Sequence, residues 1–484
     1  MKLATLSFRD LSNGIIQKVD NLLAPKNSVV FSMNLLFNKI LGRAVVRKGT
    51  SLIGQQIVNG KEILGLFQFC LSSGTKHFLA VVDGAANSAL YRLITATWTT
   101  ESVAGVKAVK HRFLTYLDTC MVLDGTNQTS SADGNTWVTT AGNLDIGNCP
   151  AGNLAIEWHD RVYVAGVSGN LDRLYYSSIP TAGVISWIAG NGYIDVEPYE
   201  GQGAITGLSK VPGYVLIFKE RALKRWNGSS TFPDDLSTLG TSSQESVVLG
   251  KRTCFFFSAS YKESIGFYET NGEETRKISR PIQSIVEAIS SSKYSSISGF
   301  SDGEIVMWSV GDITFEDIVY SNVVVIYHMD TRAWACMSFP TEFKVFSQYI
   351  DGTTLKIAAG NADGEIIEIF TGEKDNITGS SNISIQFAIQ YHPQEFGSRG
   401  RTKEITKVVP YVTDGLSCKL LIRVDKETGF KEQGSIVNPF ENEIAVDRQG
   451  HLFEFRMAGA GIGDVTEIIG FDVLSPNITE SIKT

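Results

Sequence analysis

The chain has 484 residues, of which 43% are hydrophobic and 19% are charged. This composition excludes disorder on any large scale, and the length allows two or three domains or one large propeller with additions. The formal net charge of −8 argues against tight phosphate binding as the main activity. Six scattered cysteines without a CxxC pair indicate buried reduced thiols rather than a zinc site.

The N-terminus lacks the apolar core of a signal peptide. No run of the sequence approaches the roughly 18 apolar residues that a membrane span requires. We therefore expect a protein that folds in a cytoplasm and does not insert into a membrane.

Residues 1–58 differ in character from the rest of the chain. Turn residues such as Asn13-Gly14 and Pro25 interrupt the short apolar runs of this segment. It is too short and too interrupted to build its own core, so we expect an N-terminal arm that docks on another domain or another subunit.

Residues 59–375 contain a recurrent unit of short β-branched and aromatic runs. The interval from Trp98 to Trp137 equals that from Trp187 to Trp226, and both are close to 40 residues. A period of about 40 residues with about four short strands in each unit is typical of β-propeller blades. The sequence predicts an all-β fold with a propeller of five to seven blades, and one short helix over 281–289.

Twelve Asp-Gly and Asn-Gly steps run through the chain, mostly between these short runs. Both dipeptides fit the positive φ angles of type I′ turns, so we expect them to close hairpins. After Gly372 the runs become longer and alternate more regularly. Residues 376–484 are therefore predicted to form a separate C-terminal β-sandwich.

No catalytic or metal-binding motif stands out. The six histidines are isolated, and the sequence predicts no catalytic residue, no cofactor and no metal site. The segment from Ser131 to Trp137 resembles the Asp-box hairpin of sialidases, one residue short of the usual pattern, and is interpreted as a structural turn. Lys107, Lys110, His111 and Arg112 come nearest to a basic patch and are interpreted as a solvated strand edge.

A set of short sequence segments, which we call phrases, occurs in a fixed order and covers most of residues 8–375. The phrases comprise Leu11, Gly14, Asn34, Gly42, Arg47 and Gly49; 173–177 with Trp187; 205–208, 215–220 and 226–228; 246–248 with Gly250, 255–257, 266–268 and 278–279; and 327–330 with 332–334. Their order resembles the β-propeller tail proteins of tailed bacteriophages. These include the nozzle, or tubular tail, proteins and the packaged-DNA stabilisation proteins of short-tailed phages.

The resemblance implies a structural virion protein, assembled in the host cytoplasm, with no enzymatic activity. Such a protein forms a ring, with six copies implied, around the DNA channel below the portal and adaptor, and helps to retain and eject the genome. Its partners would be copies of itself, tail adaptor or connector proteins, tail fibres, and double-stranded DNA that passes through the lumen without specific binding. We expect the arm to supply the assembly contacts, through Phe8, Asp10, Leu11, Ile15, Val19, Phe31 and Leu35.

Two alternatives remain open. The first is a propeller module at the tail tip that binds a receptor or glycan, which aromatic residues clustered at a channel mouth would favour. The second is a sialidase-like glycoside hydrolase, which would need paired carboxylates, or a tyrosine nucleophile with an arginine cluster, at the channel mouth.

Overall fold

The structure is a computed structural model. It describes residues 4–17, 24–38, 42–84, 86–101, 108–140, 142–188, 192–196, 203–378, 380–396, 401–413, 417–425, 427–436 and 443–475. Val19 of the expected assembly contacts and Lys107 of the expected strand edge lie outside these residues, as does the Asp414-Gly415 step.

The N-terminal arm contributes five strands, and none of their sheets consists of the arm alone. These strands are β1 (Ala4–Phe8), β2 (Val29–Met33), β3 (Leu35–Asn38), β4 (Arg43–Val46) and β5 (Thr50–Leu52).

Seven antiparallel sheets come next in the described chain, and each begins with an inner strand. They comprise β6–β9 (Ile63–Cys70, Lys76–Val82, Ala89–Ile94, Thr97–Thr100), β10–β12 (Arg112–Tyr116, Thr119–Leu123, Gln128–Ser131), β13–β16 (Leu154–Trp158, Arg161–Ala165, Arg173–Tyr176, Gly192–Asp195), β17–β20 (Ile205–Val211, Tyr214–Lys219, Leu223–Trp226, Asp234–Ser237), β21–β24 (Val248–Leu249, Cys254–Ser258, Gly266–Thr270, Thr275–Lys277), β25–β28 (Ser298–Ser301, Ile305–Phe315, Ile318–His328, Trp334–Ser338) and β29–β31 (Val345–Asp351, Thr354–Gly360, Ile366–Ile369). We number them blades 1 to 7.

The blades form a closed ring. Each inner strand lies beside the inner strand of the next blade, and β29 of blade 7 lies beside β6 of blade 1. Blade 7 is completed by β5, whose residues Thr50 to Leu52 pair antiparallel with β31. The predicted all-β propeller fold is thus confirmed, and it has seven blades.

The helical content of the described residues is small. The segment Gln283–Glu287 forms α1, where the sequence predicts one short helix, and the 3-10 turn Arg280–Ile282 precedes it. The other 3-10 turns are Ile146–Asn148, Gln244–Ser246, Lys262–Ser264 and Ser291–Ser296.

Three buried tryptophans, of which Trp98 and Trp187 are among those that reveal the period, connect neighbouring parts of the ring. The indole of Trp187 in blade 3 donates to the Leu144 carbonyl, and that of Trp308 in blade 6 donates to the Ser246 carbonyl just before blade 5. Trp98 of blade 1 donates to Ile53, which comes after the closing strand β5. Because a buried indole N–H needs an acceptor, each of these bonds fixes one blade against its neighbour.

The predicted turn type is wrong. Nine of the described glycines in Asp-Gly and Asn-Gly steps have a positive φ, but the residue before each does not, and a type I′ turn needs both. Instead the Asp or Asn side chain caps the turn, as where Asp302 accepts from the backbone N–H groups of Glu304 and Ile305. Two-residue loops with positive φ at both positions occur at Thr95-Ala96, Leu117-Asp118, His159-Asp160 and Glu316-Asp317.

The last strands form the extension of blade 7 and a two-sheet sandwich. They are β32 (Asp375–Ile377), β33 (Ser380–Ile383), β34 (Ile385–Tyr391), β35 (Lys403–Val412), β36 (Ser417–Val424), β37 (Lys431–Ile436), β38 (Ile444–Gly450), β39 (Phe453–Gly461) and β40 (Glu467–Ser475). One sheet has the order β2-β34-β39-β36-β37, and the other has β3-β4-β40-β35-β38 with β1 also paired to β40.

Strand pairing therefore crosses the boundaries predicted at residues 58 and 375. Strands β1 to β4 of the arm are built into the C-terminal sandwich, whereas β5 belongs to the propeller. One continuous hydrophobic core includes residues of blades 5 and 6, the arm and the sandwich, so the two lobes share their interior.

Candidate functional site

A buried ion pair lies where the sandwich meets the propeller. The Arg47 guanidinium donates to both carboxylate oxygens of Asp375, at 2.9 and 2.7 Å, and both side chains are almost fully buried. Arg47 also donates to the carbonyls of Lys48 and Ser338, and lies 4.2 Å from the ring centre of Phe339. The planar fork of arginine makes such multiple contacts possible, because its five N–H groups point in fixed directions.

Asn34 completes this junction through an unusual backbone conformation. Its φ of 60° places it in the left-handed region, which Asn tolerates better than most residues. Its side-chain oxygen accepts from Arg47 Nε and from the Ser338 N–H, and its amide donates to the Gln386 carbonyl. The one side chain thus connects the arm, blade 6 and the sandwich.

Gly49 belongs to the same junction. A Cβ at this position would lie 1.9 Å from the carbonyl oxygen of Lys374, so only glycine allows the two backbones to approach. We call Asn34, Arg47, Gly49 and Asp375 the junction cluster. Three of its four members belong to the N-terminal phrase that carries the sequence resemblance, whereas Asp375 left no signal in the sequence.

A long hairpin of blade 6 strengthens the same contact. Strands β26 and β27 extend beyond the blade, and the Phe315 ring stacks on Phe31 of the arm with a centroid distance of 4.4 Å. The tip residue Glu316 pairs with Arg423 of the sandwich at 3.0 Å. The lobes are therefore joined by packing as well as by hydrogen bonds.

The structure places most of the predicted assembly residues inside this chain. Leu11, Ile15, Phe31 and Leu35 are each at most 1% exposed and lie in the shared core. These four side chains pack within the subunit because the arm supplies strands of the sandwich itself, and so they present no surface to a neighbour. The sequence predicts that the arm docks, but no local sequence pattern shows whether its partner is the same chain or a neighbouring subunit.

The other two described assembly residues lie nearer the surface. Phe8 is half-buried and stacks on Phe471 at 5.0 Å, and Asp10 is exposed and accepts the Ser12 N–H. An inter-subunit role for Phe8 and Asp10 stays a prediction.

Charged side chains occupy the entrance of the propeller channel, where the inner strands begin. Arg112 of blade 2 pairs with Glu245, just before blade 5, at 2.6 Å. Because two blades separate these positions, this pair crosses the channel. Burial alone would raise the pKa of Glu245, but the positive charges of Arg112 and Lys110 outweigh it and keep the pKa below its ordinary value.

Lys110 and His111 also differ from the predicted solvated edge. Lys110 pairs with Glu62 at 2.7 Å, and burial lowers the pKa of its ammonium group. His111 is buried, and burial lowers the pKa of its imidazole to about 4. The prediction was wrong for these residues because they lead into the inner strand β10 between two blades, where the His111 backbone N–H donates to the Leu64 carbonyl of blade 1.

A polar cavity of about 420 Å³ lies beside the Arg112–Glu245 pair. Its lining comes from blades 2 to 4 and from the segments that precede blades 5 and 6, and it includes Asn153, Thr206, Ser242 and Ser295. Among the described residues that line it, none is aromatic, and its carboxylates come from Asp124 and Glu245. Asp124 caps its own turn by accepting from Thr126 and Asn127, so neither carboxylate is placed as a free acid or base.

The tyrosine–carboxylate pair in blade 7 does not have the electrostatics of a nucleophile. The Tyr349 hydroxyl donates to Glu368 at 2.8 Å in a buried setting. Burial and this carboxylate together raise the pKa of the phenol, so it stays protonated. The Asp-box-like segment is a turn, in which Asp133 accepts from the N–H groups of Asn135 and Thr136.

Within the described ranges, no group of three or more His, Cys, Asp or Glu side chains is arranged to hold a metal ion. No helix among the same residues is long and apolar enough to span a membrane.

No family model and no curated protein matches the chain. Among solved structures, the extracellular domain of BT4673 from B. thetaiotaomicron is similar with a TM-score of 0.44 and 11% identity, over 89% of this chain and 60% of that one. An ancestral GH74 enzyme is similar with a TM-score of 0.44 and 6% identity, over 80% of this chain and 54% of that one. The chain thus spans little more than half the length of these structures, and likeness at this level supports no transfer of function.

Proposed function

We propose that this protein acts by assembly rather than by catalysis, as a subunit of a ring around the DNA channel of a bacteriophage tail. The observation that carries the proposal is the junction cluster. Asn34, Arg47 and Gly49 are the same residues that make the N-terminal phrase similar to phage tail propellers, and here they have a defined structural task. They fix a sandwich made from both ends of the chain against the propeller.

Such a subunit suits a ring that must withstand mechanical force. A shared core and a buried ion pair hold the two lobes in one orientation. A force that acts on the contacts of one lobe is therefore transmitted to the other lobe. The propeller channel is crossed by the Arg112–Glu245 pair. DNA would therefore pass through a lumen between subunits and not along the propeller axis, and a net charge of −8 disfavours its retention there.

The ion pairing of the carboxylates at the channel entrance supports a non-enzymatic role. Glu62 and Glu245 are ion-paired, and Glu342 accepts from Lys293 and Lys344. Burial would raise the pKa of Glu342, but these two ammonium groups hold it below its ordinary value. A glycosidase needs one carboxyl group whose pKa is raised so that it can act as an acid.

The test is the mass and shape of the purified protein as its concentration rises. Sedimentation velocity should show a monomer converting to one closed species, and electron-microscopic class averages should show rings, with six copies expected. A monomer at the highest concentration, with no ring in partly assembled tail particles, would refute the proposal. A screen of fluorogenic glycosides should show no turnover, and turnover that disappears in Glu245→Gln would overturn the non-enzymatic assignment.

A second candidate is a propeller module that binds a receptor or glycan at its channel mouth. The polar cavity favours it, because Asn153, Ser242 and Ser295 are among the residues that line a space large enough for a sugar, and amide and hydroxyl groups suit a sugar's hydroxyls. The lack of aromatic residues among its described lining weakens it, since sugars commonly stack on such rings. A glycan array tests it: saturable binding that Asn153→Ala weakens at least tenfold supports it, and a blank array rules it out.

A further inference from the structure

The Asn-Gly steps also carry a chemical reactivity. In an Asn-Gly step the backbone nitrogen of the glycine can attack the side-chain carbonyl carbon of the asparagine, because glycine has no side chain to obstruct the approach. The attack needs a side-chain amide that can turn and a glycine N–H that is not held in a hydrogen bond. The described chain contains four such steps, at Asn13, Asn59, Asn227 and Asn271.

Asn59 meets both conditions. It is exposed and lies in the link between β5 and β6, outside any strand. Its side chain has one long contact, in which Gln56 Nε2 donates to its oxygen at 3.4 Å. A Cβ on Gly60 would meet nothing within 4 Å, and within the described part of the chain the Gly60 N–H donates no hydrogen bond.

The asparagines at 13 and 271 are held in place. The Asn13 amide donates to Asn27 at 2.8 Å, and the Gly14 N–H donates to the Leu11 carbonyl. The Asn271 oxygen accepts two backbone N–H groups, and the Gly272 N–H donates to Thr270 Oγ1.

Asn227 is held on one side only. Its oxygen accepts from the N–H groups of Ser229 and Ser230, both at 3.0 Å, which fixes the orientation of its amide. Hydrogen bonds therefore restrain the four steps to different degrees: Asn59 is restrained least, Asn227 more, and Asn13 and Asn271 most.

We propose that Asn59 is a site of spontaneous deamidation in the folded protein. The Gly60 nitrogen forms a bond to Cγ of Asn59 and loses its proton, the Cγ–Nδ2 bond breaks, and ammonia leaves. Water then opens the resulting five-membered imide at either carbonyl, which gives aspartate or isoaspartate. No oxidant or reductant takes part, and each event adds one negative charge.

The modified link lies beside the closure of the propeller ring. Ile57 donates its N–H to the Gly364 carbonyl, and Gln56 donates to the Asp363 carbonyl at 2.7 Å. An added carboxylate at position 59 would thus lie near the Asp363 turn of blade 7, because Gln56 contacts both. This inference does not depend on the proposed function, because it concerns the folded chain alone.

The experiment is timed incubation of the purified protein in mildly alkaline buffer, followed by peptide mapping with mass spectrometry. Among the four described steps, the peptide that contains residue 59 should gain one mass unit first, then that of residue 227, with those of residues 13 and 271 unchanged. Asn59→Gln should abolish the first event and leave the others as they are. A proteolytic digest incubated in the same way should show all four steps reacting alike.

Earlier reaction at Asn271 or Asn13 than at Asn59 would overturn the proposal, as would an unreacted Asn59 when the digest reacts. The elution volume and thermal transition of Asn59→Gln, compared with the unchanged protein, show that the variant is folded.

Discussion

Arg47 and Asp375 lie 328 positions apart in the chain and form a two-point ion pair that excludes solvent. Removing one partner leaves the other charge buried without compensation. We expect Arg47→Ala and Asp375→Ala each to lower the free energy of unfolding by about 3–5 kcal/mol. Lys48→Ala is the control: its pair with Asp464 is exposed, and its loss should cost at most about 1 kcal/mol. Urea denaturation measures both, and equal effects would contradict the assigned role of the pair.

The close approach at Gly49 makes a second prediction. Gly49→Ala would force the chain away from Lys374, since backbone atoms cannot yield as a flexible side chain can. The thermal midpoint should fall by several degrees. Gly429→Ala is the matched control, because a Cβ there meets nothing within 4 Å and its φ is not in the left-handed region. Equal midpoints for the two variants would disprove the packing argument.

Leu35 distinguishes a core position from a subunit contact. Truncation in a packed core costs about 2–5 kcal/mol, so Leu35→Ala should destabilise the isolated subunit by that amount. Val319→Ala removes a side chain that is 63% exposed and should change the stability by less than about 0.5 kcal/mol. Chemical denaturation of the monomeric fraction checks both variants. If Leu35→Ala left the stability unchanged and abolished ring formation, Leu35 would be a subunit contact and not a core residue.

The buried imidazole of His111 predicts a dependence of stability on pH. Its pKa is about 4 in the folded protein and near 6.5 in the unfolded chain, so between these values only the unfolded chain takes up the proton. Stability is therefore lost as the pH falls from 6.5 towards 4, by up to about 1.4 kcal/mol per unit from this group.

Burial also lowers the pKa of His77 and of His392, which adds to the loss with the same sign. Denaturant midpoints measured from neutral pH to pH 4 should fall, and His111→Gln should flatten the profile. An unchanged slope in this variant would show that His111 is not the group responsible.

The two-residue loop between β8 and β9 offers a stabilising change. Thr95 and Ala96 have φ values of 46° and 64°, which cost residues with a Cβ about 1–2 kcal/mol each. Ala96→Gly should relieve part of this strain and raise the thermal midpoint, even though glycine gains entropy in the unfolded chain. Ala89→Gly in strand β8 is the control and should lower the midpoint. A fall in both would contradict the turn assignment.

The propeller could be predicted because its signal is local and repeated. Hairpins join neighbours in sequence, so alternation within each strand and the tryptophan interval reveal the blades. The destination of the arm could not be read in the same way. Thr50 to Leu52 pair with strands more than 300 positions later, and their short polar sequence does not specify that partner.

The channel entrance shows another limit. Lys110 and Arg112 look like solvated cations until Glu62 and Glu245 are known to lie opposite them. The prediction of type I′ turns failed for a different reason. When only the glycine has a positive φ, the side chain of the preceding Asp or Asn can accept hydrogen bonds from backbone N–H groups. The same dipeptide fits this geometry and the type I′ geometry, so the sequence does not distinguish them.

The closing strand β5 has a consequence for synthesis of the protein. Its partner β31 leaves the ribosome more than 300 residues later, which at about 5–20 residues per second is roughly 15–60 s. During that interval the sandwich strands β34 to β40 have not been made, although β3 can already pair with β4. The nascent arm therefore carries apolar side chains, those of Leu11, Ile15, Phe31 and Leu35, that the finished sandwich conceals. The sandwich can therefore form only when synthesis is nearly complete, and until then the apolar side chains of the arm are open to aggregation.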